Sequence, residues 1–234
     1  NISQISNAEL EIYQKYGFNP DILVPSIKGN PEKYFDQILN IINKLTNKEL
    51  KLLCLNLFEK YKAELISSPA SLKDHYPIKG GLILHLYNCM NLAIQCCKNY
   101  KNLNKDLMIC GSILHDIGKI NCYSGDYIFS ETDESKLLGH DILGLNIVNS
   151  EINSIKNFPN DLKQKLNHIL IMHHKSKKDE NRLWQRFPEA IAIFNINRLD
   201  AQIDIMSRVI DNAVDIENGW TNGRHHFKTS LIIE

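Results

Sequence analysis

The sequence predicts an all-α protein: a helical bundle over residues 69–234, preceded by a short helical extension over residues 1–68. Three observations lead there. Apolar residues recur at helical spacing along nearly the whole chain. Segment starts carry Asn caps and a first-turn proline, the signals of helix N-termini. Between the helical segments, the one candidate for strands is the polar stretch "NCYSGDYIFSETDES", which reads as a short hairpin or a loop.

Taken in order, "NPEKYFDQILNIINKL" opens with Asn30 as N-cap, Pro31 at the first helical position and Glu32 in the first turn. Phe35, Ile38, Leu39, Ile42 and Leu45 follow on one face. "TNKELKLLCLNLFEKY" is the second helix, with Leu50, Leu53, Cys54, Leu57 and Phe58 as its apolar face. Two prolines and a closing Gly80-Gly81 make "ISSPASLKDHYPIKGG" a loop or linker. A long apolar helix, "LILHLYNCMNLAIQCC", comes next, then "NKDLMICGSILHDIGKI", capped by Asn104. After the polar stretch, helices resume with "KLLGHDILGLNIVNSEI" and "PNDLKQKLNHILIMHH". "KSKKDENRLWQRF" is a basic loop, and "PEAIAIFNINRLDAQIDIMSRVIDNAV" a long last helix. The ending, "GWTNGRHHFKTSLIIE", has no clear period.

Composition sets outer limits. With 43% apolar and 23% charged residues, the 234-residue chain is of ordinary globular type. Its 27 basic and 27 acidic residues balance, which excludes a global field for gathering nucleic acid, so any polyanion must meet a local basic patch. The six cysteines form no Cys-x-x-Cys pair and lie mostly in apolar helical runs, the pattern of reduced core thiols in a cytoplasmic protein. No apolar run is long enough to span a bilayer and no signal-like segment opens the chain. The first residue is Asn rather than Met, which predicts a trimmed piece of a longer protein.

The chemistry begins at "ICGSILHDIGKINCYSG", where a His-Asp pair interrupts an apolar run. Polar groups so placed need each other, a backbone partner or a metal ion. The polar exceptions to the helical pattern run in order: His85, His115-Asp116, His140, His173-His174 and Asp200. They are separated by roughly one helix and a return, the spacing that brings antiparallel bundle helices back to a common level. Imidazole and carboxylate suit divalent ions such as Mn, Fe, Zn or Co. Singly, each has a plain structural reading: His85 as a core histidine, His173-His174 as a helix C-cap, Asp200 as half of a surface ion pair. Together, the plain readings require five coincidences, and the convergent metal site requires one.

The order His, His-Asp, His, His-His, Asp resembles that of the HD-domain metal-dependent phosphohydrolase superfamily. "HYPIKGGLILH", "ILHDIGKI", "TDESKLLGH", "ILIMHH", "FPEAIAI", "LDAQID" and the closing "GWTNGR" are similar to the HD region of YhaM-type 3′–5′ exoribonucleases. The resemblance implies an all-α HD-domain core and two divalent ions, with Mn first and Mg, Fe, Ni or Co as alternatives. It implies that His85, His115, Asp116 and Asp200 hold one ion. Asp116 then bridges to a second, held by His140 with His173, His174 or both. It makes Asp116, Lys119 and His75 the candidate catalytic residues, Lys119 neutralising a phosphate oxygen and His75 aligning with a family histidine near the substrate. Lys119 as a dipole-favoured helix-end lysine and His75 as a surface loop residue are the alternatives. Members of that group carry an N-terminal OB-fold, whereas the first segments here read as helix.

In the basic loop, Lys175, Lys177, Lys178, Arg182 and Arg186 surround Trp184, the mixture of charge and ring that suits a single strand. A solvated loop with Trp184 in the core is the alternative. The expected activity is hydrolysis of phosphodiesters, foremost as a 3′–5′ exonuclease on single-stranded RNA and also DNA. A nucleotidase or cyclic-nucleotide phosphodiesterase is the alternative, with a di-iron oxygenase or a catalytically silent module behind it. The expected partners are a single-stranded nucleic acid or nucleotide and no membrane; assembly with further copies of the chain stays open.

Overall fold

The computed structural model describes residues 12, 15–17, 24–125, 129–174, 184–214 and 216–233. Eight helices carry these residues: α1 (Pro31–Ile42), α2 (Lys48–Lys60), α3 (Lys62–Ser67), α4 (Gly81–Asn99), α5 (Lys105–Leu114), α6 (Asp133–Ser154), α7 (Asn160–Met172) and α8 (Pro188–Asp211). A 3₁₀ turn (Ile117–Asn121) follows α5. Two small antiparallel hairpins complete the set, β1 (Tyr123–Ser124) with β2 (Ser130–Glu131), and β3 (Ile216–Glu217) with β4 (Trp220–Thr221). No helix among the described residues is long and apolar enough to cross a membrane.

Asn30 and Asn104 cap where the sequence places them, and Asn47, not singled out there, caps α2 in the same way. Asn30 Oδ1 accepts from Glu32 N at 2.9 Å, Asn47 Oδ1 from Leu50 N at 2.8 Å, and Asn104 Oδ1 from Leu107 N at 3.0 Å. Each satisfies an amide that has no partner inside its helix. Thr132, at the end of the polar stretch, caps α6 in the same way, accepting from Ser135 N at 3.1 Å. The start of α2 has a second anchor in the buried Asp106 of α5. Its Oδ2 accepts from Thr46 N and Thr46 Oγ1, both at 2.8 Å, and from Asn47 N at 2.6 Å.

The core is continuous from α1 to α8, and the side chains of the N-terminal helices belong to it. Phe35, Ile38, Leu53, Phe58 and Leu65 pack in one cluster with Leu86, Met90, Ile113, Leu166 and Ile193. α5 lies at its centre, against α2, α4, α7 and α8, and its residues from Asp106 to Leu114 are all buried. The cysteines are free thiols, with Cys54 and Cys110 Sγ atoms 3.3 Å apart across α2 and α5.

Three helices differ from the periodic pattern, all beside the His and Asp residues singled out above. The segment expected as one helix through "LHDIGKI" ends at Leu114; Asp116 leaves helical geometry and the chain continues as the 3₁₀ turn. α7 stops at Met172, before the paired histidines. Within α6, Gly139 adopts φ 74°, ψ 156°, which kinks the helix immediately before His140. Apolar spacing continues through such breaks, so periodicity alone does not register them.

One close approach holds these breaks together. A Cβ at Gly118 would lie 2.0 Å from His140 O and 2.4 Å from Gly144 N, so the 3₁₀ turn and α6 touch backbone to backbone. Gly118→Ala is therefore expected to cost ~1–3 kcal/mol of stability and to displace His140. Gly144→Ala, whose added carbon meets its nearest neighbour at 3.2 Å, is expected to cost less. Urea denaturation of the two variants gives the comparison; equal stability would contradict this packing.

Candidate metal centre

Three buried imidazoles are held in the same way. His85, in the second turn of α4, has Nδ1 2.7 Å from Asp200 Oδ2 on α8. His115, just past α5, has Nδ1 2.8 Å from Ser112 O. His173, just past α7, has Nδ1 2.7 Å from Leu170 O. The last two exploit a general property of helix ends, whose final carbonyls have no partner and accept a ring N–H from three residues on. A carbonyl can only accept, so His115 and His173 carry the proton on Nδ1 and present a bare Nε2 lone pair. Asn197 on α8 braces the third ring's backbone, its Nδ2 donating to His173 O at 3.3 Å.

The Nε2 atoms converge on Asp116, which is fully buried. Its Oδ2 faces His85 and His115 Nε2, each at 3.4 Å, and Lys119 Nζ at 2.7 Å. Its Oδ1 faces His173 Nε2 at 3.2 Å, His140 Nε2 at 3.5 Å and His174 Nε2 at 3.8 Å. The two oxygens thus look toward two different groups of rings. Between groups of one side, nitrogen meets nitrogen: His85 and His115 Nε2 are 3.2 Å apart, His140 and His173 Nε2 3.4 Å.

This donor set fits divalent cations. Lone pairs aimed at a carboxylate and at one another repel unless positive charge lies among them, and Lys119 Nζ, 2.7 Å from Asp116 Oδ2, is the one cationic side chain that meets this carboxylate, with none among the rings on its Oδ1 side. Asp116, His140, His173 and His174 have ligand atoms all within 4.8 Å of one another, as do His75, His85 and Asp116. Imidazoles whose outer nitrogen is anchored by a carbonyl or a carboxylate are the usual form of metal-binding histidine.

Electrostatics follow burial. Burial, helped by the neighbouring cations, lowers the pKa of His75 to about 2 and that of His115 to about 4, and lowers those of His140 and His174. For Asp116, burial opposes ionisation, but Lys119 and His115 outweigh it and hold the carboxyl well below the usual range. His85 is the exception among the rings: burial is outweighed by Cys89, Asp116 and Asp200, which hold it above its ordinary value.

All seven residues expected around the metal meet here, His174 at the rim and the others buried or half-buried. Asp200 sits on the outer nitrogen of His85, on a different atom from the one facing Asp116. Lys119 is buried, between Asp116 and His75 Nε2 at 3.2 Å, so neither it nor His75 is a surface residue. Trp184 is half-buried, beside Gln185, whose Nε2 donates to Met172 O at 2.9 Å. Lys175, Lys177, Lys178 and Arg182 lie outside the described residues.

Three neighbours went unread in the sequence. Asp141 Oδ1 is 3.0 Å from His140 Nε2 and 3.7 Å from His173 Nε2; its signal was a second His-Asp pair in "GHD". Tyr76 donates its hydroxyl to Asp200 Oδ1 at 3.1 Å while its own N–H donates to Asp204 Oδ2 at 2.7 Å. Its backbone has φ 45°, which no residue type in the motif announces. Cys89 Sγ lies 3.8 Å from both ring nitrogens of His85, one turn along α4, and reads in sequence as one more core thiol.

The family model described as "HD domain" matches residues 82–213. The chain belongs to the HD-domain family. The HD match runs from α4 to just beyond α8 and includes His85, His115, Asp116, His140, His173, His174 and Asp200. Among curated proteins, the chain is similar to the 3'-5' exoribonuclease YhaM of Bacillus licheniformis and that of Bacillus subtilis. Identity is 30% over 179 residues in each, covering 75% of this chain and 56% of theirs. The protein of the same name from Listeria welshimeri is 28% identical over 197 residues, 83% of this chain and 62% of that one. The chain therefore spans somewhat over half the length of these relatives. No solved structure matches it significantly.

Neutral rings in the interior give stability a pH dependence of definite sign. Unfolded, these histidines take up protons near 6.5; folded, His115 does so near about 4 and His75 near about 2. The unfolded chain binds more protons between those values, so stability falls as pH drops below 6.5. Asp116 adds a loss of the same sign at lower pH still, as its carboxylate is protonated through its depressed folded value. His85 works oppositely: its contribution is present below 6.5 and is lost as pH rises through its raised folded value. In metal-chelated protein, urea stability is expected to fall between about pH 7 and pH 5 by ~2 kcal/mol per histidine kept neutral. His75→Gln is expected to flatten the curve, and a flat wild-type curve would contradict this account.

Proposed function

We propose that this HD domain is a metal-dependent phosphodiester hydrolase that removes nucleotides from the 3′ end of single-stranded RNA, using two divalent ions bridged by Asp116. The observation that carries the reading is the division of Asp116: one oxygen toward His85 and His115, the other toward His140, His173 and His174. A single-ion site needs no such division. Two-metal centres of this kind place their ions about 3.5–4 Å apart, a spacing that one carboxylate bridges.

Divalent ions held there supply Lewis-acid polarisation of the scissile phosphate and activation of a water. The chain's own residues do the rest. Asp200, through Nδ1 of His85, orients that ring, and on this reading it supports the ligand set from behind. Lys119 holds its ammonium against Asp116 Oδ2, where it neutralises charge building on a phosphate oxygen. His75, neutral at working pH, accepts from Lys119 Nζ and keeps that side chain extended toward the centre. Mn is the expected ion, by the resemblance to the YhaM group. RNA and the 3′ end rest on the names of the relatives at 28–30% identity. The balanced net charge favours small nucleotides as the second reading.

Elemental analysis beside a substrate panel tests this reading. Purified protein is expected to hold close to two divalent ions per chain and to release mononucleotides from 3′-labelled single-stranded RNA with Mn. Asp116→Ala is expected to lose both metal and hydrolysis, and undiminished metal in that variant would sink the bridging role. Activity confined to mononucleotides or cyclic nucleotides would replace the exonuclease reading with the second one. Lys119→Ala is expected to retain metal but to lower kcat by about 10²–10³, the usual cost of a lost electrostatic donor. Loss of metal together with activity would make Lys119 structural.

A further inference from the structure

The motif "GWTNGR" and the histidines after it take no part in the metal centre. Of these residues Thr221, Asn222, Arg224, His225 and His226 line, with the end of α8 and the loop before α4, a separate solvent-open cavity of about 350 Å³. Lys73, Arg208, Arg224 and His226 face it from three stretches of chain, against a single carboxylate, Asp74. With Asp204, which pairs with Arg208, the balance is three formal positive charges against two negative, a small local excess on a molecule with no net charge. Among the described residues, neither Lys73 nor Arg224 forms an ion pair, and both are exposed. Arg208 donates Nε to Asp204 Oδ2 at 2.9 Å, but its Nη2 is shielded from solvent and has no hydrogen-bond partner. A guanidinium donor left without a partner is costly, and an anion is the ligand that relieves it.

The cavity's position relates it to the metal centre. Arg208 follows Asp200 by two turns of α8, about 12 Å along the axis. Asp204, midway between them, ties Arg208 to the backbone of Tyr76, whose hydroxyl holds Asp200. A hollow lined by Trp220, which is 48% exposed, adjoins the cavity and shares Val214, Thr221 and Asn222 with it. An exposed indole next to partly unpaired cations is the combination that binds single-stranded nucleic acid, the ring stacking on a base and the cations meeting the backbone.

The geometry points to a strand-binding subsite: a backbone phosphate of the substrate sits in the Lys73–Arg208–Arg224 cavity, and an adjacent base stacks on Trp220. The subsite rests on the proposed action on single-stranded nucleic acid and names the part of the chain that grips the strand away from the scissile bond. It gives the C-terminal segment a task that the metal-ligand pattern leaves unassigned.

The test uses the full chain with its metals and a phosphorothioate oligouridylate that resists cleavage, with binding read by fluorescence anisotropy over a range of salt. Lys73→Glu, Arg224→Glu and Trp220→Ala act on three different stretches, so failure of one to fold leaves the others. Each is accepted only with wild-type metal content and thermal midpoint. Arg224→Glu and Lys73→Glu are each expected to weaken binding and to reduce the slope of log affinity against log salt by about 0.7, the value for one lost single-strand phosphate contact. Trp220→Ala is expected to weaken binding at least about five-fold with the slope unchanged. Wild-type affinity and slope in all folded variants would overturn the subsite while leaving the exonuclease reading intact. A wild-type chain that hydrolyses nucleotides but does not bind the strand would overturn that reading, and the subsite with it.

Discussion

A carboxylate cut off from solvent governs the architecture of this protein. Removing an ionised group from water costs several kcal/mol after relaxation, about what one or two well-packed core side chains return. Positive charge holds the Asp116 carboxyl well below the usual range, foremost the Lys119 ammonium at 2.7 Å and then His115. The ends of α5 and α7, the kink of α6 and the position of α8 are all arranged around that group. The first three bring His115, His173 and His140 to between 3.2 and 3.5 Å of one carboxyl group, and α8 brings Asp200 to the outer nitrogen of His85.

The way the rings are supplied is economical in backbone terms. His115 and His173 stand one residue beyond a helix, where the backbone is free to turn and a spare carbonyl is available to fix the imidazole. His140 stands just after a glycine whose φ of 74° side-chain-bearing residues rarely adopt. His85 alone lies inside an uninterrupted helix, and it alone needs a carboxylate from another helix, Asp200, to orient it. The irregular points of the fold and its chemical points coincide, as expected where local geometry yields to a site.

Much of this was readable beforehand, for identifiable reasons. Asn30 and Asn104 mark helix starts because a short polar side chain satisfies an amide locally, with no contribution from the rest of the fold. The gathering of His85, His115, Asp116, His140, His173 and His174 was legible because buried imidazoles are scarce and their spacing matches the bundle's returns. What escaped depends on tertiary contact. Just past the end of α5, Gly118 approaches the α6 backbone, a contact that leaves the apolar pattern unbroken. Asp141 lies 3.7 Å from His173 Nε2 through the packing of kinked α6 against the end of α7, which its place beside His140 in the sequence does not announce. Asp200 shares the centre, but its attachment to the outer side of His85 depends on the angle at which α8 crosses α4, and spacing along the chain does not encode that angle.

α5 carries a charged group at each end. At one, Asp106 clamps the start of α2; at the other, His115 and Asp116 enter the metal centre. The helix between them is ten residues long and wholly enclosed from Asp106 onward, so it behaves as a rigid rod of about 15 Å. The start of α2 and the buried carboxylate of Asp116 are therefore tied to opposite ends of one short enclosed helix, so a residue change that displaces that helix acts on both attachments at once.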